Sequence, residues 1–190
     1  MKAMHIDDVL DRAHVVSLPL AVRFRGITTR EALLIEGPAG WGEFAPFLEY
    51  GPAESAAWLR AGLEAAYEGF PEPVRDSIEV NATIPAVPAS EVPAVVERYP
   101  GCRTFKIKVA EKGHTLADDA ARVRAVRDAV TQRGDIPILR VDANGGWTVD
   151  EAVEAAQMMM PLDYMEQPCA TTEELAQVRG RLMRAGLFVR

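Results

Sequence analysis

Apolar and polar positions follow two different rhythms along this chain. In the first third they mark short strands. His14 to Val22 is rich in Val and Leu and ends before the polar segment Arg23-Phe24-Arg25-Gly26. Thr29 to Ile35 is a second run, and Trp41 to Phe44 returns after the turn Gly37-Pro38-Ala39-Gly40. Pro52 then opens a helix with Trp58, Leu59, Leu63 and Ala66 on one face, and Gly69 and Pro71 mark its end. These elements predict a small α+β domain over residues 1–75.

From residue 76 the rhythm becomes strand, helix, strand, helix. Ser77 to Ile84 reads as a strand, and a short helix follows at roughly Glu91 to Arg98. Thr104 to Val109 is the next strand, and Leu116, Ala120, Val123, Arg127 and Val130 then recur at helical spacing. Ile136 to Val141 and Leu162 to Glu166 are two more strands. Thr148 with Glu151, and Thr171 with Glu174, have capping-box spacing; the first opens a helix through Met159, and the second a helix lined by Leu175, Val178 and Leu182. Such alternation implies parallel strands covered by helices. Four β/α units over residues 76–190 fit either an open doubly wound sheet or about the first half of a (β/α)8 barrel. No glycine-rich phosphate loop favours a nucleotide-binding sheet.

Composition narrows the function classes. The chain has 190 residues, 48% of them hydrophobic, enough for a real core. Its net charge is −7 and it has no basic run, so neither nucleic acid nor an anionic membrane is an expected partner. Apolar stretches stop well short of a membrane span. The N-terminus carries Asp7, Asp8 and Asp11 and lacks the apolar centre of a signal peptide. Cys102 and Cys169 are too few for a disulfide framework, so reduced thiols and a cytoplasmic location are expected.

The candidate chemistry lies where polar residues interrupt strands that should be apolar. Parallel strands are covered on both faces and normally carry apolar side chains. In Phe105-Lys106-Ile107-Lys108-Val109 the period of two puts both lysines on one face. Ile138, Arg140 and Asp142 share a face of the next strand, and Leu162, Tyr164 and Glu166 of the one after. Taken singly, each has an ordinary reading: a solvated Lys-x-Lys edge, a helix-capping Asp, a loop Glu. Together they sit at the C-terminal ends of three successive strands, where a barrel places its active site. Four such charges are costly to bury unless they pair or hold a metal. Asp142 and Glu166 are hard oxygen ligands suited to Mg2+ rather than Zn2+. Cys169, beyond the Glu-Gln-Pro turn, reads as structural.

These motifs, Lys106-Ile107-Lys108, Asp142-Ala143-Asn144-Gly145-Gly146-Trp147 and Glu166-Gln167-Pro168, resemble the enolase superfamily, and within it the muconate-lactonizing subgroup. Arg23-Phe24-Arg25-Gly26, Gly42-Glu43-Phe44-Ala45-Pro46-Phe47, Val80-Asn81-Ala82-Thr83 and Tyr164 through Cys169 resemble, more narrowly, the actinobacterial o-succinylbenzoate synthases. The resemblance implies an N-terminal α+β capping domain before the barrel. It also implies a lyase acting on a small-molecule carboxylate on the route to menaquinone. The reaction is a Mg2+-dependent syn dehydration of a succinyl-hydroxycyclohexadiene carboxylate. Lys108 is then the base, with Lys106 beside it; Asp142 and Glu166 are metal ligands, and Asn144 supports them. Arg25 and Phe47 would contact the substrate's tail from the capping domain. The alternatives are another reaction on this scaffold (dipeptide epimerisation, N-acylamino acid racemisation or cycloisomerisation) or a non-catalytic truncated product. The family's third metal carboxylate and second lysine have no counterpart here. A chain of these 190 residues is therefore expected to be inactive alone, and to self-associate through exposed barrel edges.

Overall fold

The structure is a computed structural model that describes residues 5–24 and 27–186. Its contacts divide the chain into two units, Met1–Asp76 and Ser77–Arg190. In the first, a short helix α1 (Ile6–Leu10) precedes strands β1 (Ala13–Phe24), β2 (Ile27–Gly37) and β3 (Gly40–Phe44), and helix α2 (Pro52–Tyr67) follows. The strands form an antiparallel sheet in the order β1-β2-β3. Helix α2 lies so close to the hairpin that three glycines are required: a Cβ on Gly37 would fall 2.1 Å from the Ala66 carbonyl oxygen, one on Gly42 1.9 Å from that of Gly62, and one on Gly62 2.5 Å from that of Glu43. Ile35, Ala66 and Val9 form the small core, flanked by Leu33, Leu59, Leu63 and Tyr67. Trp58 departs from the predicted apolar face and is exposed. Helix α1, which contributes Val9, was not predicted, because five residues hold too little periodicity to register.

The second unit is a parallel sheet, β4 (Ala82–Ile84), β5 (Thr104–Lys108), β6 (Ile138–Asp142) and β7 (Tyr164–Glu166). Between and after the strands run α3 (Val92–Val96, entered through a 3-10 turn at Ala89–Glu91), α4 (Leu116–Gln132), α5 (Val149–Met159) and α6 (Thr172–Arg184). The strand order β4-β5-β6-β7 follows the sequence without reversal. A doubly wound sheet reverses its order at a switch point, whereas a barrel adds each strand beside the last. The consecutive order therefore selects the partial barrel. Helix α4 packs between α3 and α5, and α5 against α6, forming an outer layer.

One face of the strands supplies the core. Phe105, Ile107, Leu139 and Val141 are buried together with Val123, Val126 and Val130 of α4 and Ala152, Ala155 and Ala156 of α5. Both predicted capping boxes form: Thr148 and Thr171 accept from the backbone N–H of Glu151 and Glu174, whose carboxylates return the bond. Thr115 and Asp118 make a third at the start of α4. The strand expected over Ser77–Ile84 is shorter than its sequence suggested. Only Ala82–Ile84 finds a partner, in Phe105–Ile107; β5 begins at Thr104, so in this register Ser77–Val80 run past the start of the strand they would pair with. Ile78 and Val80, which prompted the longer reading, are exposed.

Candidate active site

The ladder register lines up the polar residues of three strands. Lys108 lies opposite Asp142, and Asp142 opposite Glu166. One row deeper, Lys106 lies opposite Arg140 and Arg140 opposite Tyr164. Residues in register share a face, so both rows project from the side opposite the Phe105–Ile107 core. Lys108 Nζ donates to Asp142 Oδ2 at 2.5 Å and to Asn144 Oδ1 at 2.7 Å. Lys106 Nζ lies 3.1 Å from Asp142 Oδ2 and 3.3 Å from Glu166. The four residues expected at the strand ends are thus one connected cluster. Asn144, expected behind the ligands, touches Lys108 itself.

Sharp turns place these groups. Among the described residues, the non-glycine positions with positive φ are Ala110 (59°), Asn144 (48°) and Gln167 (41°), each one or two residues beyond a site strand. Left-handed backbone at a non-glycine residue is unfavourable and persists where its surroundings hold it. The two later turns are laced together: Ala143, Gly145 and Trp147 donate their N–H groups to the carbonyls of Glu166, Gln167 and Pro168. Asp142 Oδ1 accepts from the Asn144 N–H at 3.1 Å. Gly146 is needed for close approach, since a Cβ there would lie 2.8 Å from the Ala110 Cβ.

Two family models cover most of the chain: Enolase N-terminal domain-like over residues 15–66 and Enolase C-terminal domain-like over residues 89–187. The chain belongs to the enolase superfamily. It is 59% identical over 180 residues to the o-succinylbenzoate synthase of Mycolicibacterium smegmatis, a match covering 93% of this chain and 54% of that protein. The chain thus spans about half the length of the curated relatives it matches. Among solved structures it resembles the L-Ala-D/L-Glu epimerase of Bacillus subtilis, with 25% identity, a TM-score of 0.68, and coverage of 87% of this chain and 63% of that one. It also resembles a mandelate racemase/muconate-lactonizing-type enzyme of Roseovarius nubinhibens solved with magnesium, with 21% identity, a TM-score of 0.63, and coverage of 90% and 62%.

The electrostatics of this cluster in an enolase-superfamily chain follow from its geometry. Asp142 is almost fully buried, with its side chain 1% exposed, while both lysines are 22% exposed. Burial alone would raise the Asp142 pKa. The hydrogen bonds from Lys108 and Lys106, the Asn144 N–H and the Lys108 charge outweigh it and hold the carboxyl below its ordinary value of 3.8. For Lys106, burial favours the neutral amine, but Asp142 and then Glu166 overcome it and raise the pKa above 10.5. Lys106 is therefore a fixed cation, with its charge engaged by the two carboxylates.

Several contributors escaped sequence reasoning. Arg140, noted only as sharing a face with Asp142, donates to Asp163 Oδ2 at 2.9 Å and Asn81 Oδ1 at 3.0 Å, and lies 4.8 Å over the Tyr164 ring. A charged residue inside a covered parallel strand was the available signal. Phe47 belongs to the first unit, where it lies under the Arg30 guanidinium and meets Tyr50 edge-on; Arg25 lies outside the described residues. Cys169 is buried, and burial, with the nearby carboxylates Glu174 and Glu151, pushes its thiol pKa up, in keeping with a structural role. Among the described residues no helix is long and apolar enough to cross a membrane, and no group of three or more His, Cys, Asp or Glu side chains gathers as a metal site.

Proposed function

We propose that this chain carries the proton-abstraction part of an o-succinylbenzoate synthase site, with Lys108 as the base and Asp142 and Glu166 as ligands of a divalent cation, Mg2+. The observation that carries this reading is the in-register row Lys108–Asp142–Glu166 at the ends of three parallel strands. The choice of substrate, a succinyl-hydroxycyclohexadiene carboxylate, rests on the 59% identity to the mycobacterial synthase. A dipeptide epimerase has support from likeness of fold alone, as in the 25% identical B. subtilis enzyme.

The donor set suits a hard cation. The Asp142 and Glu166 carboxylates face one shared space, since the Lys106 ammonium lies within 3.3 Å of both and would draw aside for a metal ion to enter between them. Both are oxygen donors of the kind Mg2+ prefers. Bound there, the cation would supply the electrostatic stabilisation that a carboxylate needs when it takes on a second negative charge.

Neutral Lys108 Nζ takes the proton α to the substrate carboxylate. The C–H electron pair moves into the carboxylate as an enediolate, then returns to expel the hydroxyl group, which takes up the proton held by the Lys108 ammonium and leaves as water. The ring becomes aromatic. Asn144 Oδ1 and Asp142 Oδ2 stand within hydrogen-bond reach of the ammonium that Lys108 becomes. Lys106, held as a cation, adds positive charge beside the reacting carboxylate. Arg25 and Phe47 are proposed contacts to the succinyl tail, and the reaction would serve menaquinone synthesis in the cytoplasm.

The test is to assay o-succinylbenzoate formation and dipeptide epimerisation side by side with Mg2+, on this chain and on the longer protein built like its relatives. Synthase turnover by the longer protein is expected. Epimerisation without dehydration would overturn the substrate assignment.

A further inference from the structure

Helix α4 carries a charge pair where its other inward positions are apolar. Asp119 and Arg122 are each 1% exposed and meet at 2.6 Å, one turn apart. Further along the same face lie Val123, Val126 and Val130. A buried ion pair is costly to desolvate, and apolar side chains of similar volume often serve stability as well or better. Stability alone is therefore a weak reason for this pair, and its partners suggest another.

Three of those partners are main-chain groups at the strand exits beside the site. Arg122 Nη1 donates to the Lys108 carbonyl at 3.0 Å, and Nε donates to the Val87 carbonyl, just beyond β4, at 2.6 Å. Asp119 Oδ2 accepts from the Ala110 N–H at 2.8 Å. Arg122 Nη2 lies 2.7 Å from His114 Nδ1, in the loop leading to the helix. The pair thus grips the backbone on both sides of Val109, and Ala110 is the residue held in left-handed conformation at φ 59°. The opposite side of Ala110 packs against Gly146 in the turn that carries Asn144.

We propose that Asp119 and Arg122 are positioning residues, a buried clamp that fixes the β5 exit and thereby aims Lys108 Nζ at Asp142 and Asn144. The proposal deepens the reading of Lys108 as the base and rests on it. A reacting group misplaced by about 1 Å can lose on the order of 10²-fold in rate, so holding the Lys108 backbone matters more to chemistry than to folding.

The test uses the chain with labelled lysines and amides, as wild type, Arg122→Met, Arg122→Lys and Asp119→Asn. Lysine signals are sparse, since the sequence holds only Lys2, Lys106, Lys108 and Lys112. Below the melting transition, Arg122→Met and Asp119→Asn are expected to lose the nuclear Overhauser contacts between the Lys108 ε-protons and the Asn144 side chain. The Val123, Val126 and Val130 methyl signals should keep their wild-type positions. Ala110 amide exchange should quicken by roughly ten- to a hundredfold, the range for a lost hydrogen bond to a charged group. Arg122→Lys keeps the charge but lacks the fork, and should lose the same contacts if the more drastic variants do not fold. Variants that melt earlier yet keep the Lys108–Asn144 contact would overturn the proposal, as would failure of all three to fold, because the pair would then serve the fold rather than the base. In the longer protein, kcat should fall by about 10²-fold with KM unchanged. Absence of turnover in the wild type would count against the synthase reading, while the spectroscopic result would still decide the clamp.

Discussion

Replacing Asp142 by Asn probes the centre of the cluster. Asn keeps the size and one acceptor oxygen but removes the negative charge that engages Lys108 at 2.5 Å and Lys106 at 3.1 Å. Removing one partner of a fully buried ion pair costs about 3–5 kcal/mol. Here both ammonium groups are 22% exposed, so water can screen their unpaired charge. The remaining Asn oxygen can still accept a hydrogen bond. The expected loss is about 1.5–3 kcal/mol near neutral pH, the range for hydrogen bonds to charged groups. At roughly 2–4 °C per kcal/mol for a chain of this size, the melting temperature should fall by about 3–12 °C. The pH dependence adds a second check. Asp142 titrates below 3.8 in the folded protein, so its contribution is present above 3.8 and is lost as pH falls through the lower folded value. Wild type and Asp142→Asn, unfolded with urea across this acid range, should therefore converge in stability. A variant as stable as wild type near neutrality, or a gap that persists in acid, would refute the view that these contacts are net attractive.

Three further outcomes follow from other elements. Gly42→Ala should destabilise the first unit by about 1–3 kcal/mol or more through overpacking against the Gly62 carbonyl, read as faster amide exchange in β3 and α2 with the second unit unaffected. Thr148→Ala removes the capping box of α5 and should cost about 1 kcal/mol by denaturant unfolding. Lys106→Met should abolish one alkaline loss of stability: the raised pKa of Lys106 makes its contribution complete below 10.5 and lost as pH climbs through the higher folded value, so the gap between wild type and variant should close there.

The site was legible because its residues break a rule. Lysines at 106 and 108 and carboxylates at 142 and 166 stand in strands that should be apolar, and a period of two assigns them to one face without any knowledge of register. The capping boxes at Thr148 and Thr171 were legible for a similar reason, since their chemistry is local. What the sequence hid depends on partners distant along the chain. Ser77–Val80 has the composition of a strand, but β4 can pair only as far as β5 extends. Asp119 and Arg122 have the spacing of a solvated pair on a helix surface, and only the packing of α4 beneath the β5 exit turns them inward. The choice between a doubly wound sheet and a barrel rested on strand order, which no local pattern encodes.

The central claim is that Lys108 removes the proton while Asp142 and Glu166 hold the cation. Its most direct test is Lys108→Ala in the longer protein, with o-succinylbenzoate formation and Mg2+ affinity measured on the same preparation. A general base contributes on the order of 10²–10⁴-fold in rate. Turnover should fall by at least that factor with Mg2+ affinity unchanged. Retained turnover, or a loss of turnover that merely follows a loss of metal binding, would contradict the assignment.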